Sequence, residues 1–175
     1  MSARAAIVIG LLACLVLASA CPYRTTSRGR SLRGSVSIPF LDNRTGQPDL
    51  ELKVTEAIIE ALDREGSLTV VGGEDGDFLL NGAVVRYGEA PFSISDKGRA
   101  DEYKLTVGVV LSFRDQTTGE DRWQNKSFTG SASFYLEGSA VAGSGDGETL
   151  TRDWAEEEAL KQVVEDVLNA IFGEW

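Results

Sequence analysis

EYKLTVGVVLSF, Glu102 to Phe113, decides the fold class. Tyr103, Leu105, Val107, Val109, Leu111 and Phe113 recur at every second position, with Lys104, Thr106, Gly108 and Ser112 between them. A period of two places alternate side chains on opposite faces of a strand. One face of this segment is apolar and needs a cover; the other is polar or small. A helix would scatter the same six apolar residues around its circumference. The segment is therefore a long sheet strand packed on one side.

Its neighbours extend the sheet. RDQTTGEDR, Arg114 to Arg122, carries the signals of a hairpin turn. WQNKSFTGSASFYL follows as a strand whose pattern shifts: Trp123 is odd-numbered, whereas Phe128, Ala132 and Phe134 are even. A bulge near Ser127 reconciles the two halves. Upstream, PFSISDKGRAD is a hairpin connection with Lys97-Gly98 at its tip. FLLNGAVVRY before it is a strand with apolar content on both faces. Phe78, Leu80 and Val84 alternate against Leu79, Ala83, Val85 and Tyr87. One face can pack on helices. The other either seeks a partner, since monomers rarely expose large apolar patches, or holds only scattered surface apolars.

Two segments change period. Leu50, Val54, Ala57, Ile58, Ala61 and Leu62 make one helical stripe, with Pro48 suited to its first turn and Gly66 to its C-terminal cap. Leu160, Val163, Val164, Val167, Leu168, Ile171 and Phe172 make a second, and Glu156, Glu157 and Glu158 suit the positive end of that helix dipole. SVSIPF and SLTVV read as short strands flanking the first helix. GGEDGD lacks the ligand spacing and distal glutamate of a calcium loop and reads as a turn. EGSAVAGSGDGET has no lysine for a phosphate cradle and reads as a loop. The expected fold is α+β: a two-layer sandwich, two helices packed on one face of a mainly antiparallel four- to five-stranded sheet.

The N-terminal segment has another character. Ala5 to Ala20 is an uncharged apolar run of 16 residues, short for a membrane span of about 20. It fits a secretory signal, residues 1–20. Ala18-Ser19-Ala20-Cys21 resembles a lipobox, in which the Cys21 thiol takes a diacylglycerol and the new amino group is acylated; an ordinary signal peptide with an incidental cysteine is the alternative. Cys14 leaves with the signal. Residues 21–34 read as a lipidated tether and 35–175 as a single domain. Arg24, Arg28, Arg30 and Arg33 all precede the first acid after the signal, Asp42. They suit either lipid phosphates or a solvated linker. Pro22, rather than an aspartate, leaves export to the outer membrane open.

Chemistry is constrained by what is missing. The chain has 17 basic and 27 acidic residues and no histidine, a formal charge of −10. So acidic a chain is a poor binder of nucleic acid. Without histidine most catalytic triads and zinc sites are excluded. No catalytic residue, metal site or cofactor is expected, and a binding or assembly role is the default.

IPFLDNRTGQPDLE, LLNGAVVRY, ISDKGRADEYKLTVGVVLSF and FTGSASFY, followed by a closing helix, resemble the LptE family of lipopolysaccharide-assembly lipoproteins. Asn43-Arg44-Thr45 before Pro48, and Gly98 to Leu105 with Glu102-Tyr103, carry most of the likeness. Cys21-Pro22-Tyr23 stands where members often read Cys-Gly-Tyr. The resemblance implies an outer-membrane lipoprotein on the periplasmic face that plugs the LptD barrel, helps it assemble, and touches lipopolysaccharide through basic loop residues. Lys97 and Arg99 occupy the matching tip. The rival is an interaction lipoprotein of similar layout, such as a cell-wall synthase activator or a curli-secretion-type subunit.

Overall fold

The computed structural model describes residues 32–94, 100–135 and 150–173. Its elements run in the order β1 (Gly34–Ser37), β2 (Asp42–Asn43), α1 (Leu50–Glu65), β3 (Leu68–Val71), β4 (Phe78–Ile94), β5 (Ala100–Asp115), β6 (Asp121–Tyr135) and α2 (Arg152–Phe172). The sheet order is β3-β1-β4-β5-β6, with β2 also paired to β4. β4, β5 and β6 form a long antiparallel meander. β1 pairs parallel with β3 and with β4, and β2 pairs parallel with β4. The sheet is thus mixed and six-stranded. Parallel pairing follows from connectivity: α1 carries the chain from β1 back to the start of a neighbouring strand, as parallel neighbours require.

Both helices lie on one face, as their stripes demand. Leu105, Val107, Val109, Leu111 and Phe113 of β5 are buried beneath them. α1 contributes Leu50, Val54, Ile58 and Leu62, and α2 contributes Ala159, Val163, Val167 and Ile171. An aromatic row crosses the meander: Phe78 stacks on Phe113 at 5.4 Å, Phe113 meets Trp123 at 5.7 Å, and Trp123 meets Phe128 edge-on at 5.6 Å. The Trp123 indole N–H donates to the Ala170 carbonyl at 3.3 Å, giving the buried ring its polar partner. Gly130 lets α2 lie close to β6, since a Cβ there would overlap the Ala159 carbonyl oxygen.

Local geometry both meets and corrects the sequence pattern. Gly66 caps α1 in the left-handed region at φ 78°, donating to the Leu62 carbonyl. The bulge in β6 exists but sits two residues before Ser127. Leu111 pairs with Lys126 and Phe113 with Trp123, and Asn125 takes φ 49°. A second bulge, at Val85, separates Val84 from Arg86. It flips the parity of the rest of β4. Tyr87 therefore points to the helices rather than sharing the face of Leu79 and Ala83. Pro48 lies in the turn before α1, which begins at Leu50 after a left-handed Asp49.

Candidate partner-binding face and hairpin tip

The Asn43-Arg44-Thr45 motif is a structural clasp. Asn43 donates through its amide to the Gln47 carbonyl at 2.8 Å and to Glu51. Its side-chain oxygen accepts from the Thr45 backbone N–H at 2.9 Å and the Thr45 hydroxyl at 2.8 Å. One side chain thus holds the loop, its turn and the first turn of α1. Arg44 remains exposed, near Asp42. The motif's polar residues at β2 set the entry to α1.

A second polar cluster joins both helices to β4. Glu156 is buried, 6 % exposed, and accepts from the Lys53 ammonium and from the Tyr87 hydroxyl at 2.9 Å. Burial pushes its carboxyl pKa up. Hydrogen bonds from Lys53 and Tyr87, and the charges of Lys53 and Arg152, more than offset this and leave it below its ordinary value. Burial raises the Tyr87 hydroxyl, and its bond to Glu156 adds to the effect. Arg152 pairs with Glu89 and lies 5.8 Å over the Tyr87 ring. Sequence reasoning assigned Glu156 only to the helix dipole. The signal for more was its spacing from Leu160 and Val163, which puts a carboxylate on the apolar stripe itself.

At the opposite hairpin, Asp115 holds the turn. It accepts from the Thr117 and Thr118 backbone N–H groups, each at 3.1 Å, and from Arg122 at 3.0 Å. The Arg122 guanidinium and these backbone donors hold its carboxyl below its ordinary range. Asp77 is lowered by the Ser35 backbone N–H and hydroxyl, which tie the end of the turn before β4 to β1.

The sheet face away from the helices is a mosaic. Three rows of paired residues, Arg86-Gly108-Thr129, Gly88-Thr106-Ser131 and Ala90-Lys104-Ser133, cross its centre. Around them Val85, Phe92 and, beyond β1, Phe40 are 39 %, 61 % and 74 % exposed. The Lys104 ammonium lies 5.9 Å from the Phe92 ring. A polar hollow of about 310 Å³ opens between Arg44, Asn81, Ser112 and Asn125. The apolar residues are separated rather than merged, so the face offers shape and hydrogen-bonding groups more than an oily patch. No cluster of potential metal ligands occurs among the described residues.

Lys97 and Arg99 fall outside the described residues, as does Cys21. What the structure places is the stem of their hairpin. Ile94 pairs with Ala100, and below it Ser93 pairs with Glu102 and Pro91 with Tyr103. Tyr103 meets Phe134 of β6 at 5.8 Å, which ties this end of the meander together.

Comparison with solved structures finds the same fold at low identity. The protein XCC0632 from Xanthomonas campestris matches with a TM-score of 0.56 and 13 % identity, over 81 % of this chain and 86 % of that one. The hypothetical protein CT253 from Chlamydia trachomatis matches with a TM-score of 0.55 and 13 % identity, over 81 % and 96 %. A PelC dodecamer from Paraburkholderia phytofirmans matches with a TM-score of 0.50 and 16 % identity, over 79 % and 87 %. No curated protein sequence matches. The family model described as LptE, lipopolysaccharide-assembly, matches residues 34–171, from the first residue of β1 to the last turn of α2. The chain belongs to the LptE family.

Proposed function

We propose that the protein is a lipid-anchored outer-membrane lipoprotein that serves as plug and assembly partner of an LptD-type barrel in lipopolysaccharide transport to the cell surface. The family match over residues 34–171 carries this reading, because it spans the whole α+β unit rather than one motif. The lipobox-like Ala18-Ser19-Ala20-Cys21 supports anchoring through Cys21. No helix among the described residues is long and apolar enough to cross a membrane, so lipid on Cys21 would supply the attachment. More than one acyl chain is needed for stable anchoring, and a triacylated cysteine provides it. The role is assembly rather than catalysis. Lys97 and Arg99 are the residues proposed to meet lipid A phosphates.

The test is co-purification of the full chain from detergent-extracted outer membrane. Recovery of a large β-barrel in stoichiometric amount, with loss of surface lipopolysaccharide when the chain is depleted, is the expected outcome. A cell-wall synthase or a homo-oligomeric ring in place of the barrel would overturn the proposal.

A further inference from the structure

The outer surface of the helical layer carries a groove. It runs between α1 and α2 and encloses about 610 Å³. Its floor is apolar: Ala61, Leu160 and Val164 are nearly buried, and Ala57 and Leu168 half-buried. Its rim is acidic, with Glu60 and Glu65 from α1 and Glu157 and Glu165 from α2. Among the described residues Glu60, Glu157 and Glu165 have no ion-pair partner. Of the two bases in the groove, Lys161 is occupied by Glu158 at 3.6 Å, leaving Arg64. The surrounding surface has the same sign. α1 carries five acids and two bases, and α2 six acids and two bases.

The chain enters the fold beside this groove. Leu32 packs against the core, and Arg33, Gly34 and Ser35 line a hollow shared with Glu65, Gly66 and Ser67 at the end of α1. Glu65 lines both the hollow and the groove, so the two adjoin there. The residues leading into that point, PYRTTSRGRS from Pro22 to Ser31, include Arg24, Arg28 and Arg30 and no acid. Ten residues can extend about 33 Å, while the α1 side of the groove, from Glu65 to Ala57, is about 12 Å long at the helical rise. Reach and charge sign both suit the segment.

We propose that residues 22–31 fold back along the α1–α2 groove, with Arg24, Arg28 and Arg30 meeting its glutamate rim and Tyr23 available to its apolar floor. Guanidinium–carboxylate pairs at a rim are screened by salt, so docking is reversible. A docked segment holds the helical layer close to whatever carries residue 21. A released one lets the domain move away by the length of the extended segment. Docking of this segment requires neither the barrel nor lipopolysaccharide.

The test uses the full chain in detergent with benzoylphenylalanine in place of Thr26, irradiated and mapped by mass spectrometry. Intramolecular crosslinks to peptides containing Ala57–Glu65 or Glu157–Leu168 are expected. They should fall at least fivefold in 0.5 M salt, or in the variant Glu60→Lys with Glu157→Lys. Arg24→Glu with Arg28→Glu should restore them in that variant, which separates charge pairing from damage to the fold. Crosslinks confined to other surfaces, to detergent, or between two copies would overturn the proposal, as would groove crosslinks indifferent to both salt and charge reversal.

Discussion

A single buried carboxylate shows how much one residue can decide. Glu156 would be costly if it stood alone, because a charge taken from water needs compensation in kind. Lys53 from α1 and Tyr87 from β4 provide it, so the residue that threatens the core ties three elements together. Its depressed pKa fixes the sign of the pH effect. The unfolded carboxyl titrates near its ordinary value of about 4.3, and the folded one lower. The contribution is therefore present above the unfolded pKa and lost as pH falls through the folded one. Urea denaturation of wild type and Glu156→Gln should show wild type more stable at neutral pH and the difference shrinking in acid below about pH 4.3. Asp77 and Asp115 titrate in both proteins, so the difference isolates Glu156. A gap constant down to pH 3 would show that the carboxylate is not the group at work. Val107 poses the opposite problem. It is fully buried and apolar, on the face of β5 that the helices cover. Val107→Asp should cost roughly 3–5 kcal/mol, the scale of an uncompensated buried charge, read as loss of the folding transition. An unchanged melting temperature would mean the helices cover the other face of β5.

At the scale of elements, the period-two pattern of β5 was legible because both of its long neighbours pair along nearly its full length. The apolar stripes of the helices, six residues in α1 and seven in α2, were legible because each helix buries one side only. Two things were not. Pairing direction is absent from any local pattern, so the parallel contacts of β1, β2 and β3 could not be read from their residues. A bulge is visible only when it breaks a run of large apolars. The one at Asn125 did, between Trp123 and Phe128; the one at Val85 sits among residues apolar on both parities and hid the turn of Tyr87 toward Glu156. Gly130 is a packing device of the same kind, invisible in a small-residue stretch. With Ala159 backbone against it, Gly130→Val should push α2 off β6 and destabilise by about 1–3 kcal/mol, the range for overpacking. Chemical denaturation with an m-value check distinguishes this from partial unfolding. A neutral result would mean α2 is not seated on that strand.

At the scale of the molecule, charge is partitioned. The helical layer is strongly acidic, whereas the opposite sheet face is mixed, with Arg86, Lys104 and Arg114 beside Glu102 and Asp121. The two hairpin-tip bases, Lys97 and Arg99, follow that sheet between Ile94 and Ala100. Asp96, Asp101 and Glu102 flank these two bases, so an anion would be held there by short-range contacts rather than drawn in by the field of a molecule of formal charge −10. The proposed contact with lipid A phosphates would rest on charge-assisted hydrogen bonds to those bases. Lys97→Glu with Arg99→Glu in the purified protein should leave the fold intact, since the β4–β5 ladder below Ile94 and Ala100 does not use them. Binding to lipopolysaccharide should fall at least tenfold at low ionic strength, the equivalent of about 1.4 kcal/mol, and lose most of its salt dependence. If the double variant folds and binds as tightly as wild type in low salt, the tip is not where lipopolysaccharide is held, and a role inside the barrel would rest on the plug alone.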